Sequence, residues 1–196
     1  MVGTKLFLIT KNKNKYWEAS LILKPYGISL EQIPLSKEEI QAESLEKIAL
    51  HAARKAYALL RRPLVVDDSG LFVEALRGFP GPYSSYVYKT IGYEGILDLL
   101  DDAENRRACF KTALALISPP LEKLFTGETC GIITRKPMGS GGFGFDPIFM
   151  PEGYSKTYAQ MTTTEKNAIS HRGKAFRLMA SWLARRRVYP SNHTPC

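Results

Sequence analysis

The chain has 196 residues, 44% of them hydrophobic and 23% charged, which excludes a disordered or fibrous class and leaves ample length for a buried core. Its formal net charge of +8 implies an acidic partner, nucleic acid or a nucleotide, without choosing between them. Apolar runs fall far short of the roughly 20 residues that a membrane span needs, and the amino end enters a strand without a signal-peptide core, so the chain is expected to be soluble and cytoplasmic.

Lys5 to Ile9 is expected as a strand and Lys15 to Leu23 as a helix with Trp17, Leu21 and Leu23 among its apolar residues. Between them lies Thr10-Lys11-Asn12-Lys13-Asn14-Lys15. A strand feeding a lysine-rich polar loop that opens a helix gathers backbone N–H groups, the helix dipole and ammonium groups, which together suit a phosphate. The loop lacks the glycines of a Walker A motif, and a solvated basic turn is the competing reading. Ile33-Pro34-Leu35 then leads through Glu38-Glu39-Ile40-Gln41-Ala42-Glu43 to an amphipathic helix. There Leu45, Ile48, Ala49, Ala52, Ala53, Ala56, Leu59 and Leu60 recur at helical spacing, with Ser44 able to cap it. By position alone, Glu39 and Glu43 are partners of that helix dipole, and His51 is structural.

Leu64-Val65-Val66 runs straight into Asp67-Asp68-Ser69-Gly70, which is expected as a buried strand ending in two carboxylates, with the glycine turning the chain. Side chains alternate along a strand, so Asp67 and Asp68 face opposite sides and one of them can enter a cleft. Carboxylates so placed are the usual way to hold Mg²⁺; a polar turn capped by Asp and Ser is the competing reading. Gly92 to Leu100 is expected as a short helix. Ala108 to Ile117 is expected as a strand with Phe110, Thr112, Leu114 and Leu116 on one face. Leu121 to Thr126 and Thr129 to Thr134 are expected as two more strands, in hairpins beside an α/β part.

Phe143-Gly144-Phe145-Asp146-Pro147 follows a run of glycines. Such a turn lets the backbone come close to a flat ligand while the rings pack on it, although a plain hairpin turn has the same composition. Thr162 and Glu165 have capping-box spacing, and Lys166, His171 and Arg172 cluster just before a last helix expected to turn Ala175, Leu178, Met179, Trp182 and Leu183 inward. Arg185-Arg186-Arg187 reads as the solvated end of that helix. The three cysteines, Cys109, Cys130 and Cys196, show no paired or metal-ligand spacing.

Taken in order, Thr10-x-Asn12-x-x-Lys15, Asp67-Asp68-Ser69-Gly70, Gly78-Phe79-Pro80-Gly81-Pro82-Tyr83-Ser84, Phe143 to Pro147, Lys156-Thr157-Tyr158-Ala159 and Glu165-Lys166-Asn167 with Ser170-His171-Arg172 resemble the inosine triphosphate pyrophosphatase family. The resemblance runs from about residue 5 to 183. It implies an α/β fold: an elongated mixed β-sheet with flanking helices, two lobes and a deep nucleotide cleft, in one domain over residues 1–187 with a poorly ordered tail at 188–196. It implies hydrolysis of non-canonical purine nucleoside triphosphates (ITP, XTP, dITP), usually by a homodimer, with no stable nucleic-acid partner and no membrane.

The same resemblance assigns Asp68 as metal ligand and water-activating base, and Glu39, against its positional reading, as the other carboxylate for Mg²⁺. Thr10, Lys11, Asn12, Lys13, Asn14 and Lys15 fall on the triphosphate loop, and Ser69 on a substrate contact. Phe143, Gly144, Phe145, Asp146, Lys166, His171 and Arg172 fall around base and phosphates, with Arg172 the best candidate for a donor to the C6 carbonyl. Lys11 stands where the family commonly has a small residue, which makes the loop more cationic and less pliant. Two other readings compete. A basic nucleic-acid-binding module explains the charge but not the adjacent carboxylates, and a Mg²⁺-dependent phosphomonoesterase suits the carboxylates but releases inorganic phosphate.

Overall fold

The computed structural model describes residues 4–36 and 40–188. β1 (Thr4–Ile9) lies between β2 (Ile28–Ile33) and β3 (Leu64–Val73) and runs parallel to both. β3 continues beyond β1 and pairs antiparallel with β5 (Arg107–Ser118). β5 in turn pairs with β6 (Leu121–Ile133), and β6 with β7 (Phe149–Pro151). A two-residue strand, β4 (Pro80–Gly81), pairs with β3 off the main path, giving a seven-stranded mixed sheet in the order β2-β1-β3-β5-β6-β7.

α1 (Lys13–Leu23) and α5 (His171–Val188) cover one face of the sheet, packing Ala19, Ile22, Leu23, Phe176 and Met179 on Leu6, Leu8, Val65, Leu114 and Leu116. α2 (Leu45–Leu60) covers the other face, with Leu45, Ala49, Ala52, Ala53 and Ala56 on Phe7, Ile9, Val66, Ala113 and Ala115. Its small residues let helix and sheet approach closely, and Ser44 caps it by accepting the Lys47 N–H. Helices on both faces explain the uninterrupted apolar run at the start of β3, where Leu64, Val65 and Val66 are all fully buried. A third cluster closes the far end of β3 and β5. There α3 (Ser84–Asp98) sets Val87 and Ile96 against Leu71, Val73 and Phe110, and α4 (Thr163–Ile169), with the expected Thr162–Glu165 capping box, leads into α5.

The structure corrects several expectations. β3 does not end at its carboxylates: β5 pairs with all ten of its residues, from Leu64↔Ile117 to Val73↔Ala108, so the chain stays extended through Gly70. α3 begins at Ser84, about two turns before the expected helix start at Gly92, whose φ of 66° kinks it. The expected pair of strands after Leu121 is one continuous β6. Leu59 and Leu178 fit a helical apolar pattern but are 73% and 55% exposed.

Cys109 and Cys130 form a disulfide, 21 residues apart in sequence but directly opposed in the β5–β6 register, which spacing alone does not reveal. Cys196 and the rest of the expected tail after Val188 lie outside the described residues. No helix among the described residues is long and apolar enough to cross a membrane.

Candidate active site

β1 covers one edge of β3 only at Leu64–Val66, and β4 covers it only at Leu71–Phe72. Between them no described strand pairs with that edge over Asp67, Asp68, Ser69 and Gly70. A cavity of about 690 Å³ opens there, beyond the carboxyl end of β1, the position at which α/β sheets ordinarily take a ligand. Gly70 is dictated by packing rather than by a turn: a Cβ on it would lie 2.2 Å from the Gly81 carbonyl oxygen, so only glycine lets β4 close on β3. Ser84 pins the start of α3 to this corner, accepting the Leu71 N–H at 2.8 Å and donating to the Gly81 carbonyl at 2.7 Å.

One end of the cavity is cationic. Thr10, Lys11, Asn12 and Lys15 line it, beside Asp68, which is 8% exposed. Asn12 caps α1 by accepting the Asn14 and Lys15 N–H groups at 2.9 and 3.2 Å, its own N–H goes to Thr10 Oγ1, and Lys11 Nζ donates to Ser36 Oγ. Lys13 and Asn14 are exposed on the first turn of α1 and do not line the cavity. Glu39 lies outside the described residues.

The other end is a flat slot lined by Phe143, Gly144, Phe145, Asp146, Lys166, His171 and Arg172. Lys166 Nζ and the Arg172 guanidinium sit 4.6 and 5.5 Å from the Phe143 ring centre, and Tyr88 of α3 meets Phe145 edge to face. His171 stacks on Phe110 with centroids 4.7 Å apart. Burial, and after it the charges of Arg172 and Lys166, hold the His171 imidazole well below its ordinary pKa, so the ring is neutral. Its Nδ1 has no hydrogen-bond partner among the described residues.

A buried chain of alternating charges joins the two ends. Lys15 donates to Asp67 Oδ1 at 2.7 Å, and Arg172 donates through Nε to Asp67 Oδ2 at 2.7 Å and through Nη1 to Glu18 Oε2 at 2.6 Å. Glu18 Oε1 takes Lys166 at 2.8 Å, and Lys166 also meets Asp146, which accepts the Phe143 N–H. Burial alone would raise both the Glu18 and Asp67 carboxyls, but Arg172 with Lys166, and Arg172 with Lys15, hold them below the ordinary range. At Asp146 burial prevails over Lys166 and the Phe143 N–H, and its pKa is raised.

Sequence reasoning missed Glu18, Thr112, Tyr88 and Lys89. The signal for Glu18 is a carboxylate on the inward face of α1, four residues before Ile22 and three after Lys15. Thr112 shows itself only through the β3–β5 register, which places its hydroxyl 2.6 Å from Ser69 Oγ. Tyr88 and Lys89 line the cavity from the part of α3 that the sequence left unassigned.

A cationic end beside an aromatic slot suits a molecule with a polyanion at one end and a flat ring at the other. Among the described residues, the side chains clustered closely enough to ligate a metal are Cys109, Glu128 and Cys130, and there the sulfurs are already in the disulfide. Among the described residues, Asp68 offers a hard oxygen donor at the cavity wall.

The Ham1 family profile matches residues 6–182. The chain is 53% identical over 183 residues to the dITP/XTP pyrophosphatase of Hyperthermus butylicus, covering 93% of this chain and 96% of that one. It is 52% identical to the dITP/XTP pyrophosphatase of Thermococcus kodakarensis over 91% and 97% of the two chains. Among solved structures, a HAM1 protein from Coxiella burnetii superposes with a TM-score of 0.81 at 30% identity, covering 93% of this chain and 99% of that one.

Proposed function

The chain belongs to the Ham1 family, and on that premise we propose that it hydrolyses the non-canonical purine nucleoside triphosphates ITP, dITP and XTP to the monophosphate and pyrophosphate. The observation that carries the reading is the single cavity wall with a lysine-rich loop and Asp68 at one end and the Phe143–Arg172 slot at the other. The names of relatives about half identical over nearly the whole chain support the same substrate class.

In this reading the triphosphate lies against Thr10, Lys11, Asn12 and Lys15, and water attacks the α-phosphorus while Asp68 takes its proton. Lys15 and Lys11 neutralise the charge that grows on the departing pyrophosphate. Asp68 and Glu39 would hold Mg²⁺, which when bound lowers the charge of the phosphates and the pKa of a bound water. Ser69 contacts substrate and is no nucleophile: its hydroxyl is engaged with Asp67 and Thr112, and no histidine among the described residues supports it.

The base lies against Phe143 and Phe145. Arg172 uses Nε, Nη1 and Nη2 in one hydrogen bond each, so of its five N–H groups two remain for the C6 carbonyl of hypoxanthine or xanthine. Adenine offers an amino group there, and an unmet buried donor costs about 1–3 kcal/mol, or about 5–150-fold per contact. Rejection of guanine falls to crowding of its C2 amino group by the Phe143–Asp146 turn. We place the enzyme in the cytoplasm, as one domain and as a homodimer. The exposed aromatics Phe79, Tyr83 and Tyr86 near the start of α3 are the surface suited to a second copy.

The test is a panel of dITP, XTP, dATP and dGTP with Mg²⁺, with both products identified. Monophosphate plus pyrophosphate from dITP and XTP, with dATP and dGTP much poorer, is the expected result. Equal turnover of dATP overturns the base reading, and inorganic phosphate as first product means a phosphomonoesterase.

A further inference from the structure

Resting on that nucleotide reading, we propose that Asp67 is the positioning residue of the site: one carboxylate sets Lys15 at the phosphate end and Arg172 at the base end, and takes no part in holding metal or activating water. Asp67 and Asp68 are neighbours on β3, and strand alternation gives them different tasks. Asp68 lines the cavity; Asp67 does not, and its side chain has no exposed surface. Oδ1 of Asp67 accepts from Lys15 Nζ at 2.7 Å and from Ser69 Oγ at 2.8 Å, and Oδ2 accepts from Arg172 Nε at 2.7 Å. Ser69 Oγ is itself steadied by Thr112 at 2.6 Å and by Arg172 Nη2 at 3.2 Å. Both oxygens are thus engaged from α1, β3 and α5.

The charge matters as much as the geometry. Lys15 and Arg172 come from positions 52 and 105 residues away from Asp67 in sequence, and burial would drive two such cations apart without an anion between them. Anchoring both on one carboxylate fixes the distance from the ammonium at the triphosphate to the guanidinium at the base. Losing the carboxylate therefore releases both cations at once. The asparagine variant keeps the shape but presents an NH₂ to Lys15 and Ser69 or to Arg172, donor against donor.

The experiment measures pyrophosphate inhibition and the ratio of kcat/KM for dITP over dATP in wild type and Asp67→Asn. We expect the inhibition constant for pyrophosphate to rise about tenfold and the dITP:dATP ratio to narrow about tenfold, each the scale of one charge-assisted bond lost. A purely structural Asp67 would lower Tm and leave both quantities unchanged, and a folded Asp67→Asn with both unchanged overturns the proposal. Should the single variant fail to fold, Lys15→Gln is compared with Lys15→Gln/Asp67→Asn, in which two amides replace the ion pair. Lys15→Gln should weaken pyrophosphate and leave the base ratio near wild type. Adding Asp67→Asn should narrow the ratio with no further loss of pyrophosphate affinity, and an unchanged ratio overturns the proposal. A wild type that does not prefer dITP refutes the nucleotide reading instead, and the pyrophosphate arm still decides whether Asp67 positions Lys15.

Discussion

Glu18→Gln probes the charge chain that the sequence did not announce. Glu18 is 4% exposed and binds two buried cations, Arg172 at 2.6 Å and Lys166 at 2.8 Å. In the native chain three cations (Lys15, Arg172, Lys166) face three carboxyls (Asp67, Glu18, Asp146); the variant leaves a net positive charge in a closed environment. Removing one partner of a buried pair costs about 3–5 kcal/mol. The low end applies here, because Arg172 keeps Asp67, Lys166 keeps Asp146, and the glutamine carbonyl can still accept one hydrogen bond.

About 3 kcal/mol corresponds to a fall in Tm of roughly 6–12 °C for a chain of this size. The pH dependence supplies a second check. The Glu18 pKa is depressed from 4.5, so its contribution is fully present above pH 4.5 and is lost as pH falls through the lower, folded-state value. Asp67, likewise depressed, and Asp146, raised, titrate in both proteins and largely cancel from the difference. Calorimetry of wild type and variant from pH 7 down to pH 3 should therefore show a gap in Tm that closes on acidification below pH 4.5. A gap under about 2 °C at pH 7, or one of constant size across the range, would refute the reasoning.

Asp68→Asn removes the proposed metal ligand and base while leaving the charge chain intact, so kcat for dITP should fall about 10²-fold or more with an unchanged circular dichroism spectrum. Near-normal turnover would move the chemistry to a carboxylate outside β3. Replacing Cys109 and Cys130 by serine opens a link spanning 21 residues, worth about 3 kcal/mol on the loop-entropy scale. The double variant should melt roughly 6–12 °C below the oxidised protein, and adding a reductant should bring wild type to the same value. Equal melting of all three would show that the link adds nothing to stability.

Much of this molecule is legible from local rules. Apolar periodicity places α2 and its inward alanines, alternation places Phe110, Thr112, Leu114 and Leu116 on one buried face of β5, and spacing alone finds the Thr162–Glu165 capping box. The ordered motifs contain many of the residues that line one cavity, from Thr10 to Arg172, although Lys13, Asn14 and Asp67 do not line it and Tyr88 and Lys89, which do, lie outside the motifs. What sequence could not supply is set by partners far along the chain. Asp67, Asp68 and Gly70 look like the end of a strand, yet β5 keeps them extended, and the approach of Gly81 rather than a turn requires the glycine. The Cys109–Cys130 link exists because register, not spacing, opposes the two residues.

The pairing of Asp67 with Lys15 and Arg172, and of Glu18 with Arg172 and Lys166, has the same origin. A lone ionic side chain in a sequence reads as surface. Only when three helices and a strand converge does burial make its charge expensive and its partner obligatory, and that convergence belongs to the tertiary structure.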